Sequence, residues 1–97
     1  MAIKKQYLKS KPVCKVTFTV PAEEANEVVV AGNWNEWNAT AEPLKKLKNG
    51  TFKTTVDLET GSSYEFKYIV DGQWQNDEQA DAYAWNEFAT ENGVLNL

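Results

Sequence analysis

A period of two, interrupted at short intervals by residues that turn the chain, limits what this sequence can fold into more than any other feature. From Val13 to Val20, Cys14, Val16, Phe18 and Val20 alternate with Lys15, Thr17 and Thr19. Phe52, Thr54, Val56 and Leu58 repeat the pattern, as do Tyr64, Phe66, Tyr68 and Val70, the latter set against Glu65, Lys67 and Ile69 on the other side. Residues two apart share a face only in an extended chain, so each run predicts a half-buried strand. Asn49 and Gly50 stand between Leu44–Lys48 and Thr51–Leu58, a dipeptide that predicts a hairpin with a type I′ turn. Asp71 and Gly72 predict a second hairpin leading into a short arm with Trp74. Val28, Val29 and Val30, closed by Gly32, predict a strand covered on both faces and central in its sheet. Residues 93–97 supply a last strand, with Val94 or Leu95 reaching the core. Together these segments predict an all-β fold, an antiparallel immunoglobulin-like β-sandwich of about seven short strands.

The remaining segments lack that period. Asn33 to Pro43, rich in Asn and Trp, reads as an ordered surface loop, and 76–91 as a long acidic loop in which Ala80, Tyr83, Ala84 and Phe88 suggest a helical turn. Residues 1–10 read as a flexible, solvated segment because of Lys4, Lys5 and Lys9, which leaves 11–97 as the folded module. A chain of 97 residues supports one core.

Charge and residue usage exclude several function classes. Ten basic residues, all lysine, face fourteen acidic ones for a net charge of −4, which argues against a nucleic-acid partner. Histidine is absent, so the commonest general base and metal ligand is missing, and the acidic residues do not follow calcium-loop spacing. No metal or other cofactor is expected. Cys14 is the single cysteine and sits on an apolar strand face, where it reads as a small buried hydrophobe. No apolar stretch approaches membrane-spanning length, so no membrane association is expected and the chain reads as cytoplasmic. Glycoside hydrolysis would need only two carboxylates, and Asp71, Asp77, Glu78, Asp81 and Glu91 are at hand. A small domain with a flat surface offers none of them the desolvation a general acid needs, so no enzyme and no catalytic residue is expected.

Four tryptophans exceed what a core of this size fully buries. Trp34, two residues past Gly32, suits a core or loop-packing role. Trp37 and Trp74 stand beside turns among Asn, Gln and Asp. An indole can carry the C–H face of a pyranose while amides and ammonium groups take the hydroxyls. The residues themselves leave two readings open, a sugar platform and a pair of lids on the sandwich.

The run Val28-Val-Val-Ala-Gly-Asn-Trp-Asn-Glu-Trp-Asn38 resembles the strand and loop of the glycogen-binding, isoamylase N-terminal-like domains, the family-48 carbohydrate-binding modules. Such modules occur in glycogen branching and debranching enzymes and in the beta subunit of AMP-activated protein kinase. Tyr64-Glu-Phe-Lys-Tyr-Ile-Val-Asp-Gly-Gln-Trp74 is similar to the family's second signature, and Asn76-Asp77 with Asn92-Gly-Val-Leu95 to its closing segment. The resemblance covers about Lys11 to Leu97. It implies stacking tryptophans at Trp37 and Trp74, a sugar-contacting lysine at Lys67, a polar contact at Asn92, secondary contacts at Phe88 and Thr90, and a buried Trp34. Glu78 and Trp85 depart from the family, standing where members often carry proline.

The function so implied is non-catalytic binding of α-1,4-linked glucans such as glycogen, starch and maltodextrins, with a glycogen- or starch-metabolising enzyme as a further partner. The alternative is a protein-interaction or dimerisation module using the same aromatic surface.

Overall fold

The computed structural model describes residues 2–40, 42–87 and 89–97. Nine strands run through them: β1 Ala2–Tyr7, β2 Val13–Pro21, β3 Val28–Gly32, β4 Lys45–Lys46, β5 Thr51–Glu59, β6 Ser63–Val70, β7 Gln73–Gln75, β8 Ala82–Trp85 and β9 Glu91–Asn96. All pairings are antiparallel. One sheet has the order β1-β2-β5-β4 and the other β3-β6-β9-β8, with β7 paired to β6 beyond the end of β9. The all-β sandwich expected from the alternation is what forms.

The core lies between the sheets and is built from the alternating positions. Cys14, Val16, Phe18 and Val20 of β2 with Phe52, Val56 and Leu58 of β5 meet Val28 and Val30 of β3, Phe66 and Tyr68 of β6 and Leu95 of β9. Phe18 is at its centre: its ring lies 5.5 Å from Phe66, 6.1 Å edge-on to Tyr68 and 6.0 Å from Trp34, stacked at 10°. Trp34 is thus a core-packing residue, as expected. Its indole occupies the space where a Cβ on Gly32 would sit, 2.2 Å away, so the glycine is required by close approach.

Four expectations change. Residues 2–7 form β1, paired with β2 from Ala2↔Thr19 to Tyr7↔Cys14, rather than a flexible tail. Ile3 packs on the core, and Lys5, on the same face, is neutralised by an ion pair with Asp81 that no local pattern could reveal. The helical turn sought within 76–91 is instead the edge strand β8, in which the Tyr83 hydroxyl donates to the Asp77 carbonyl. β3 is buried along its whole length, yet it ends its sheet; Pro43 and its neighbours cover the free side, with Val30 N–H donating to Glu42 O and Leu44 N–H to Val28 O. The turn at Asn49-Gly50 has positive φ only at Gly50 and pairs Leu47 with Thr51, which makes it a three-residue loop with a glycine bulge rather than a type I′ turn. At the second hairpin both Asp71 (φ 47°) and Gly72 (φ 82°) are left-handed, as type I′ requires.

Candidate functional site

Alternation puts Val29 and Ala31 of β3 and Ile69 and Lys67 of β6 on the outer face of the second sheet. Val29, Ala31 and Ile69 form a small apolar cluster there, and Trp37 packs on it. The loop after Gly32 delivers Trp37 to that place. Asn35 ties it down, its Oδ1 accepting from Gly32 N–H at 3.0 Å and its Nδ2 donating to Val30 O at 3.4 Å, while Trp37 N–H donates to Gly32 O at 2.9 Å. Glu36 and Trp37 both adopt φ 58°. Left-handed backbone costs non-glycine residues about 1 kcal/mol or more each. The packing of the indole on the apolar cluster offsets that strain.

The Asp71-Gly72 turn folds β7 back along β6 so that Trp74 pairs with Ile69. Trp74 therefore comes to lie next to Trp37, with ring centroids 6.5 Å apart and planes inclined at 46°. Trp37 is half-buried against the sheet, whereas Trp74 is 48% exposed.

These two indoles form one end of an open groove of about 850 Å³. Lys67 and Glu65 of β6 make its floor, flanked by Asn33 and Asn92, and the hairpin between β8 and β9 contributes Trp85, Asn86, Glu87 and Thr90. That hairpin is a hydrogen-bonded unit. Asn86 N–H donates to Thr90 O at 2.9 Å, and Asn86 Nδ2 donates to Thr90 Oγ1 at 2.7 Å and to Asn92 Oδ1 at 2.9 Å. Lys67 Nζ donates to Thr90 Oγ1 at 3.3 Å, and Asn92 Nδ2 donates to Glu65 Oε1 at 3.1 Å. The groove thus combines two tilted apolar plates with a strip of amide, hydroxyl, ammonium and carboxylate groups.

Five residues singled out in the sequence, Trp37, Lys67, Trp74, Thr90 and Asn92, line this one groove. Phe88, the remaining one, lies outside the described residues. Glu65, Asn33 and Asn86 were not anticipated. Glu65 had a signal, since alternation set it on the outward face with Lys67; Asn33 and Asn86 reach the groove through loop geometry that no period encodes.

Beneath the site, Asp77 is fully buried. Its Oδ2 accepts from the Tyr68 hydroxyl at 2.8 Å and its Oδ1 from Gln79 N–H at 2.8 Å. Burial and the neighbouring Asp77 carboxyl push the Tyr68 phenol far above its ordinary value, so it remains a donor. Among the described residues no group of three metal-ligating side chains gathers, and no helix is long and apolar enough to cross a membrane.

Residues 14–96 match the family model for the glycogen recognition site of AMP-activated protein kinase. Among curated proteins, the chain is 43% identical over 53 residues to Protein PTST homolog 2, chloroplastic, of Arabidopsis thaliana, covering 55% of this chain and 10% of that protein. It is 33% identical over 63 residues to Protein FLOURY ENDOSPERM 6, chloroplastic, of Oryza sativa subsp. japonica, covering 65% and 12%. It is also 31% identical over 70 residues to Cruciform DNA-recognizing protein 1 of Saccharomyces cerevisiae, covering 69% and 15%. The chain corresponds to a small part of each of these longer proteins. The family match runs from the second residue of β2 to the last of β9 and takes in both indoles and the whole floor of the groove, so the chain belongs to the glycogen-recognition domain family of AMP-activated protein kinase.

Proposed function

We propose that this module binds α-1,4-linked glucan without acting on it, with Trp37 and Trp74 stacking on neighbouring glucose units and Lys67 and Asn92 fixing their orientation. The observation that carries the reading is the 46° inclination of two indoles 6.5 Å apart at the end of a polar groove. An α-1,4-linked chain curls, so its successive rings present faces at an angle to one another, whereas a flat β-1,4-linked chain calls for coplanar plates. Stacking on an indole supplies contact area, and the side groups supply direction.

Catalysis is not part of this reading. Glu65 already accepts a bond from Asn92, and the groove stands open to water, which leaves neither of the carboxylates lining it, Glu65 and Glu87, desolvated for general-acid work. Nor is DNA a fitting ligand for the groove, despite the name of the yeast relative, because two carboxylates, Glu65 and Glu87, line it against one ammonium, Lys67. An enzyme of glycogen or starch metabolism is the further partner that this reading proposes.

One observation favours a second reading, docking to a partner protein: Trp85, at the groove's rim, is 73% exposed. Tryptophan fluorescence titrated with maltoheptaose, β-cyclodextrin and cellohexaose separates the two. A saturable response to the α-linked ligands and none to cellohexaose supports glucan binding. No response to any of them, with a dimer or larger species by light scattering, supports docking.

A further inference from the structure

Glu65 and Lys67 are two residues apart on β6 and project to the same side of the sheet, on the floor of the groove. Opposite charges so placed can close on each other, but among the described residues no ion pair joins them. Each is held by a different partner. Lys67 leans to Thr90 Oγ1 at 3.3 Å, and Glu65 receives Asn92 Nδ2 at 3.1 Å. The result is an acceptor and a donor held side by side, neither neutralising the other.

Asn92 itself is 7% exposed, and both ends of its amide are engaged, by Glu65 on one side and Asn86 on the other. Glu65 is half-buried and so more open to a ligand. A carboxylate has about four lone-pair sites, of which Asn92 uses one, and an ammonium has three protons, of which Thr90 takes one. Sugar hydroxyls both donate and accept, and a neighbouring pair of them matches such a couple.

We infer that Glu65 is a ligand-contacting residue of this groove, accepting a hydrogen bond from a hydroxyl of the same glucose unit whose adjacent hydroxyl accepts one from Lys67, so that Asn92 orients the glucose in part through the carboxylate it holds. The inference rests on glucan binding as proposed above. A hydrogen bond from a hydroxyl to a charged acceptor is about twice as strong as one to a neutral acceptor, so the pair gives the site orientation that two flat indoles lack.

The test is a set of calorimetric titrations of maltotriosides deoxygenated at single hydroxyls, with wild type, Glu65→Gln and Glu65→Ala, each checked for its unfolding midpoint. Glu65→Ala is expected to weaken binding of the parent trisaccharide by about tenfold, and Glu65→Gln by less. At one hydroxyl, the deoxy analogue should lose affinity against wild type and no further affinity against Glu65→Ala. Additive losses at every hydroxyl, or Glu65→Ala binding as wild type does, would overturn the inference while leaving glucan binding intact. A wild type that binds no trisaccharide and no longer maltodextrin would overturn both.

Discussion

Trp37 comes from the loop after β3 and Trp74 from β7, yet their rings meet at 6.5 Å and 46°, one packed on the sheet's outer face and the other more exposed. The difference in anchoring separates their mutational effects. Trp74→Ala should change folding stability by less than about 0.5 kcal/mol and weaken glucan binding strongly. Trp37→Ala should do both, with a stability loss of about 2 kcal/mol, since it uncovers Val29, Ala31 and Ile69. Urea unfolding of the two variants beside wild type checks this.

Gly32 and Trp34 form a similar dependence inside the loop. A methyl group on Gly32 would meet the Trp34 ring at 2.2 Å, so Gly32→Ala must displace the indole from its stack on Phe18. The expected cost is about 1–3 kcal/mol, with a change in near-ultraviolet circular dichroism as the aromatic core repacks.

Tyr68→Phe removes one hydroxyl and leaves the fully buried Asp77 Oδ2 without its donor. Stability should fall by about 1–3 kcal/mol. Tyr83→Phe, which frees the Asp77 carbonyl beside a more exposed ring, should cost less. Chemical denaturation of both variants ranks them.

At the far edge, Asp81 ties β1 to the second sheet. Its partial burial opposes the charged form, but the Lys5 ammonium and Asn96 N–H outweigh that and hold its carboxyl below the ordinary value. A carboxyl depressed in the folded state stabilises above its unfolded value of about 3.9, and that contribution is lost as pH falls through the folded value. The melting-temperature difference between wild type and Asp81→Asn should therefore be largest near neutrality and shrink between about pH 5 and pH 2. Deleting residues 2–7 should lower stability and reduce this difference to the part owed to Asn96 N–H.

Much of the fold was legible because the sequence alternates wherever one face is buried: β2, β5 and β6 follow directly from it. Segments whose stability depends on a distant partner were not. β1 carries an inward Lys5 that makes sense only beside Asp81, and β8 is too short and too exposed to show a period against its background of acidic residues. β3 is apolar on both faces, which reads as a central strand, but one face is covered by a loop tryptophan and the free edge by residues near Pro43. In the groove, Trp37, Lys67 and Trp74 could be picked out through the two motifs. Asn33 and Asn86 could not, since their positions are fixed by loop hydrogen bonds to Glu65 and Thr90.

The central claim is that the inclined pair of indoles binds α-glucan, and calorimetric titration of maltoheptaose into wild type and Trp74→Ala tests it most directly. The account predicts saturable binding by the wild type and a loss of about tenfold or more in the folded variant. Wild type that takes up no maltoheptaose, or a variant that binds it equally well, would contradict it.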